Sequence, residues 1–196
     1  MEVRTFPVGS YQTNCYLVWS EDSDKCILID PGYEPEYLLE QVRLQRKSLE
    51  AILLTHGHFD HVGGVKQIAA ETGCKVYICP EELLMPPRFT AGPIHYTDTY
   101  GEGDTLRLAG LTLQVLKTPG HTQGSICLLC EDVLFSGDTL FAGTCGRTDL
   151  PGGDHLTIME SLHRLAGLEG DFRVLPGHGG ASTLETERKT NPFMQL

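Results

Sequence analysis

The segment Thr55-His56-Gly57-His58-Phe59-Asp60-His61 packs three histidines and an aspartate into six positions. Neutral imidazole and carboxylate are the ligands a borderline divalent metal prefers, so the block points first to a metal site. Its flanks point to the fold. Leu49 to Leu54 reads as a buried strand, and Val62 to Thr72 reads as a helix ended by Gly73. A strand that feeds a ligand loop into a helix is a unit of α/β architecture.

The same alternation continues on both sides. Asn14 to Trp19 and Cys26 to Asp30 read as strands parted by a polar turn, and Pro31-Gly32 stops the second. Pro35 to Lys47 places Leu38, Leu39, Val42 and Leu44 at helical spacing. Lys75 to Cys79 is another strand. Strands follow at Leu111 to Leu116, Ser125 to Leu129, Val133 to Phe135 and Arg173 to Leu175. A helix from about Asp154 to Leu165 has Asp154 as its N-cap. Pro80 to Asp104, rich in Pro, Gly and Tyr, reads as an irregular excursion, either a lid or rim or an ordinary surface connection. With no repeat and no linker, residues 1–196 are expected to form a single domain.

The 196 residues, 40% of them hydrophobic, suit one core. A net charge of −11 without a Lys/Arg cluster argues against a basic nucleic-acid face. The first residues lack the basic and apolar regions of a signal peptide, and no apolar run has the length of a membrane span. The expectation is a cytoplasmic protein acting on a small molecule, without membrane or nucleic-acid partners. Seven cysteines form no disulfide framework, and most lie in apolar runs and read as small reduced core residues. Cys127 and Cys130 sit three apart in a predicted strand and so point to opposite faces, which favours packing over metal binding.

One ion cannot take the whole block. His56 and His58 can reach one ion from a loop, but Asp60 and His61 need a second. Further candidates share a context. His121 in Pro119-Gly120-His121, Asp138 in Ser136-Gly137-Asp138 and His178 in Pro176-Gly177-His178 each follow a predicted strand. The glycine before each permits a tight turn and close backbone approach. Four strand ends would deliver seven ligands to one edge, where functional groups of open α/β sheets collect. His95, His155 and His163 lack this context and read as surface or helix residues.

These motifs identify a resemblance. The chain resembles the metallo-β-lactamase superfamily, and within it the glyoxalase II-type thioester hydrolases. The matching stretches are Asn14 to Val18, Ile29 to Gly32, Thr55 to His61 with Gly63-Gly64, Pro119 to Thr122, Ser136 to Thr139, Pro176 to Gly179, and the ending Glu187 with Asn191-Pro192-Phe193. The resemblance implies a four-layer αββα sandwich. It implies one metal on His56, His58 and His121, a second on Asp60, His61 and His178, and Asp138 bridging. Two divalent ions are implied, zinc first, with iron or manganese as alternatives. The implied reaction is hydrolysis of a thioester, such as S-lactoylglutathione or a related thiol adduct, by a hydroxide held between the metals. Asp60 and Asp138 are the implied catalytic carboxylates, Asp60 also orienting the nucleophile.

Gly143 to Thr148 resembles the segment that holds the glutathione part in glyoxalase II, which makes Cys145, Gly146 and Arg147 the implied substrate contacts. Glyoxalase II proper carries a C-terminal helical domain that supplies much of that site, and this chain is expected to lack it. Other thioesters therefore stay within the implied range. The rival is a persulfide dioxygenase-like oxidoreductase, which shares Cys145 to Asp149 and holds one iron on His56, His121 and Asp138. That arrangement leaves His178 unemployed. A flavodiiron-type domain would want Glu at His58, the glyoxalase-like motifs weigh against a β-lactamase, and a non-catalytic metal scaffold is the third class.

Overall fold

In the computed structural model, which describes residues 1–90 and 92–195, six strands form a first sheet in chain order. They are β1 (Glu2–Val8), β2 (Thr13–Trp19), β3 (Lys25–Ile29), β4 (Ser48–Leu53), β5 (Lys75–Ile78) and β6 (Asp98–Thr99). The first three run antiparallel and the rest parallel from β3 onward. A second sheet is built from β7 (Thr105–Leu108), β8 (Leu111–Lys117), β9 (Ile126–Cys130), β10 (Val133–Gly137), β13 (Arg173–Pro176) and β14 (Ser182–Thr183). Its order is β14-β13-β10-β9-β8-β7, with β10 and β13 parallel. The short pair β11 (Leu140–Phe141) and β12 (Thr144–Cys145) stands apart.

The helices are α1 (Pro35–Leu44), α2 (Phe59–Val62), α3 (Val65–Thr72), α4 (His155–Ala166) and α5 (Leu184–Thr190). α1 and α3 pack on each other and on the first sheet, while α4 and α5 pack together over the second. The two sheets face each other through the larger core, completing the four layers. Strand alternation shows why both faces are apolar. In β9, Ile126, Leu128 and Cys130 point into the large core, and Cys127 points into the core under α4 and α5. In β10, Val133 and Phe135 take the first side and Leu134 the second. Cys127 and Cys130 therefore belong to separate cores, as their spacing predicts. Six of the seven free cysteines are buried, and Cys145 is half-buried.

Some elements differ from the sequence reading. The helix expected over Val62 to Thr72 is two helices: α2 begins inside the histidine block, and the chain breaks at Gly63-Gly64. Gly64 N–H leaves the helical pattern and donates to Pro31 O at 3.0 Å, because this corner packs against the turn after β3. The four-residue edge strand β7 and the seven-residue helix α5 are absent from the sequence reading, being too short to carry an extended apolar pattern. Asp154 does cap α4, accepting from Thr157 N–H at 2.7 Å. The excursion from Pro80 holds two 3-10 turns and then β6, which adds an edge to the first sheet. Among the described residues no helix is long and apolar enough to cross a membrane.

Candidate metal centre

The strand ends after β4, β8, β10 and β13 converge. The loop after β4 carries His56 and His58, and the first turn of α2 carries Asp60 and His61. His121 follows β8, Asp138 follows β10, and His178 follows β13. All seven meet in one place. His56, His58 and His121 offer nitrogen atoms within 4.8 Å of one another, and so do the ligand atoms of Asp60, His61 and His178. Asp138 lies between the two sets. Its Oδ1 is 3.4 Å from His61 Nε2, and its Oδ2 is 3.6 Å from both His121 Nε2 and His178 Nε2. A Cβ on Gly177 would sit 2.2 Å from Asp138 Oδ1, so only glycine lets β13 approach this closely.

Polar partners outside the cluster aim the ligands inward. His121 Nδ1 pairs with Arg147 O at 2.8 Å, and His178 Nδ1 with Tyr11 O at 3.1 Å. His61 Nδ1 pairs with Asp30 Oδ2 at 2.9 Å. In each ring this turns Nε2 toward the centre, the orientation metal-binding imidazoles need, and His121 Nε2 there lies 2.9 Å from His58 Nδ1. Thr13 Oγ1 donates to Asp60 Oδ2 at 3.0 Å. His56 Nε2, His58 Nε2, His61 Nε2 and Asp138 Oδ1 are buried without a hydrogen-bond partner. Leaving such atoms unpaired costs about 1–3 kcal/mol each, a penalty that a cation bound among them removes. The donor set, five imidazoles and two carboxylates, suits a borderline divalent ion.

The charge pattern is uneven. Burial and the neighbouring imidazoles hold His56 well below the usual histidine range, and the same causes bring His58 down to about 4. Burial also lowers His61, but Asp138 and Asp30 outweigh it and raise the ring to about 9. His178 is raised in the same way by Asp60 and Asp138 against burial. Burial would lift Asp60, yet the His178 hydrogen bond and the charge of His61 hold its carboxyl far below the usual range. The first histidine set is thus neutral at pH 7, while the second carries charge when no metal is bound.

Asp30 was not singled out as a site residue from sequence. It follows β3 just as the ligands follow their strands, and that context was its available signal. It adopts φ 51°, a left-handed conformation that costs energy outside glycine and persists where surrounding bonds demand it. Those bonds come from Thr55 N–H at 2.8 Å, Thr55 Oγ1 at 2.6 Å and His61 Nδ1. With its oxygens so engaged, Asp30 supports a ligand rather than acting as one, although it lies within reach of His56 and His61. Glu82 is the other unforeseen residue. It is the buried residue in the first turn of the excursion, and its Oε2 accepts from Gly57 N–H at 2.6 Å and its Oε1 from Gly124 N–H at 2.7 Å. One carboxylate thereby ties the loop of His56 and His58 to the loop of His121.

A cleft of about 620 Å³ opens on His58, Asp60, His121, Asp138 and His178. Cys145 and Arg147 line it, and Phe89 reaches it from the excursion, which makes that segment part of the rim. Arg147 spends its guanidinium on Asp149, with Nε and Nη2 each donating at 2.7 Å. Burial pushes the Cys145 thiol up, so it is not an activated nucleophile. Gly146 has no side chain to offer, and a Cβ there would sit 1.8 Å from Asp138 O. The ending acts on the same wall: Glu187 accepts from Gly143 N–H and Asn191 Nδ2, and Asn191 donates to Thr144 O, steadying the β11–β12 pair. His95 and His155 are exposed, His163 lies on α4, and all three are apart from the cluster.

Sheets sandwiched by helices, with a His/Asp cluster at the strand ends, define a metal-binding hydrolase architecture. Residues 8–178 match the family model described as the metallo-beta-lactamase superfamily, and the chain belongs to that superfamily. It is 34% identical to hydroxyacylglutathione hydrolase GloC of Haemophilus influenzae, over 99% of this chain and 98% of that one. Among solved structures it resembles BLEG-1 B3 metallo-beta-lactamase, with TM-score 0.92, 33% identity and full coverage of both chains. It also resembles TTHA1623 in a di-iron-bound form, with TM-score 0.87 and 39% identity over 97% of this chain and 100% of that one. ETHE1 from Myxococcus xanthus follows with TM-score 0.86 and 29% identity over 98% and 84% of the two chains.

Proposed function

We propose that this protein is a binuclear metal-dependent hydrolase acting on thioesters of small thiols. The observation that supports this most is the pair of ligand sets meeting across Asp138, with His178 a full member of the second. The likeness to a hydroxyacylglutathione hydrolase over nearly the whole of both chains supports the thioester class. His56, His58 and His121 would hold one divalent ion, Asp60, His61 and His178 the other, and Asp138 would contact both. Zinc heads the candidates, and the di-iron form of TTHA1623 keeps iron beside it. Bound there, the ions would supply Lewis acidity and make a coordinated water acidic near neutral pH.

The chain's own groups do the rest. Asp60 stays ionised and is steadied by Thr13 and His178, so it can orient the attacking water by accepting its hydrogen bond. Asp30 and the backbone carbonyls of Arg147 and Tyr11 hold the imidazoles in one tautomer. Aromatic and aliphatic side chains line the approach to these ligands. Water oxygen bonds to the acyl carbon, the C–S bond breaks, and the products are a carboxylate, a thiol and a proton. A thiolate leaves readily, so no general acid is needed.

The likeness to ETHE1, together with the shared Cys145–Asp149 stretch at the cleft, supports the alternative of a mononuclear-iron oxidoreductase acting on a persulfide. Metal analysis of the protein as isolated is the decisive experiment, combined with thioester hydrolysis, nitrocefin hydrolysis and oxygen uptake on a persulfide. Two metals per chain with thioester turnover are expected. One iron with oxygen uptake would replace this reading with the dioxygenase, and nitrocefin turnover alone would replace it with the activity that BLEG-1 is named for.

A further inference from the structure

The cleft in front of the cluster is walled by Tyr11, Phe59, Phe89, Phe141 and Leu150. Tyr11 meets Phe59 edge-on at 5.3 Å, and Phe141 stands edge-on to His178 at 6.2 Å, so the aromatic wall runs up to the ligands. Arg147 is the sole Lys or Arg among the lining residues. Its Nε/Nη2 edge is already filled, because those two nitrogens donate to the two carboxylate oxygens of Asp149, each at 2.7 Å, which leaves the Nη1 end and a charge largely neutralised by Asp149. A substrate carboxylate arriving there meets the charge of Asp149, and to take the Nε/Nη2 edge it must displace a partner tethered only two residues away. The chain's net charge of −11 adds repulsion at longer range.

Resting on the thioester reading of this site, we propose that the cleft selects thioesters whose thiol arm is uncharged and apolar, and that Asp149 sets this by withholding Arg147 from anionic arms. The physics is a contrast between two substrates. A carboxylate laid along this wall loses hydration and gains only a counter-charge that Asp149 has already largely neutralised. A neutral arm gains about fourfold in affinity for each methylene it buries against the aromatic rings. Asp149 is in this view a specificity-determining residue, acting through Arg147 rather than touching the reacting atoms.

Two thioethers with the same hexyl chain and no scissile ester bond isolate the thiol arm: S-hexylglutathione, with two carboxylates, and S-hexyl-N-acetylcysteamine, which is neutral. Binding of each to the metal-loaded protein is measured by calorimetry for wild type, Asp149→Asn and Arg147→Met. The neutral thioether is expected to bind on the order of tenfold tighter, and Asp149→Asn to narrow that ratio by strengthening the glutathione adduct several-fold. Equal or tighter wild-type binding of S-hexylglutathione, lost in Arg147→Met, overturns the proposal, since Arg147 would then be clamping the anion. A ratio unmoved in Asp149→Asn removes Asp149 from the account, and failure of both thioethers to bind overturns it altogether. Hydrolysis of S-lactoylglutathione and hexanoyl-N-acetylcysteamine is followed in parallel. Selective binding of the neutral thioether with turnover of neither ester would sink the hydrolase reading and leave the selectivity standing.

Discussion

His61 Nδ1 donates to Asp30 Oδ2 at 2.9 Å, and both side chains are shut off from solvent. The bond selects the His61 tautomer and turns Nε2 toward Asp60 and Asp138. Outer partners of this kind are worth about 10–100-fold in metal affinity. Asp30→Asn is therefore expected to weaken the set of Asp60, His61 and His178 by that factor while His56, His58 and His121 keep their metal. Metal content after dialysis should fall from two toward one per chain, and an unchanged content of two would remove Asp30 from this role.

Asp138 touches both sets, so its loss should act on both. Asp138→Ala is expected to lower thioester turnover by about three orders of magnitude or more, since several kcal/mol of electrostatic organisation disappear. The fold should survive, because the side chain lies at the cleft and not in either core. Circular dichroism and a melting curve check the second half of that statement. Wild-type turnover in a correctly folded variant would show that the reaction does not pass through this carboxylate.

Glu82 joins two ligand loops through one buried carboxylate. Both of its partners are N–H donors, so Glu82→Gln replaces one acceptor by an amide that faces a donor. The buried N–H of Gly57 or Gly124 then goes unpaired at a cost of about 1–3 kcal/mol. The expected result is a lower melting temperature together with weaker metal retention by His56, His58 and His121. Loss of stability with metal retention intact would mean that Glu82 braces the excursion only.

The two sets should differ in their coupling to protons. Without metal, His61 titrates near 9, above its ordinary range, and so carries a proton at pH 7; His58, near 4, does not. Metal and proton compete for the same nitrogen. Affinity of the Asp60, His61 and His178 set should rise with pH up to about 9. Affinity of the other set should be flat around neutrality and fall only in acid. A proton bound to His61 stabilises the metal-free fold, and that contribution is present below the ordinary histidine range and lost as pH rises through 9. Calorimetric metal titration at pH 7 in two buffers of different ionisation enthalpy should show proton release only with the equivalent that fills the Asp60, His61 and His178 set. Equal release with both equivalents would contradict the asymmetry.

Much of the centre was legible because each ligand advertises itself locally. His56, His58, Asp60 and His61 form one dense block, and His121, Asp138 and His178 each follow an apolar strand and a glycine. Strand alternation likewise announced the separate fates of Cys127 and Cys130. Other features rest on contacts with distant parts of the chain. The break at Gly63-Gly64 depends on the turn at Pro31, and α5 takes its place from the contacts of Glu187 and Asn191 with the β11–β12 pair.

The amino-acid sequence by itself determined which chemistry is available: five imidazoles and two carboxylates placed at strand ends, where backbone geometry forces them outward to one edge. Only the tertiary structure decided how they are divided, aimed and charged. The pairings that do this, Asp30 with His61, Thr13 with Asp60 and Glu82 with Gly57 and Gly124, join positions 25 to 47 residues apart. Hydrogen bonds across such separations exist only once distant strands and loops have been brought together, and the one from Gly124 to Glu82 only once the two sheets have met; no local propensity encodes them. Arg147 is the contrasting case: its partner Asp149 stands two residues away, and the folded chain adds only the geometry by which Nε and Nη2 meet both carboxylate oxygens.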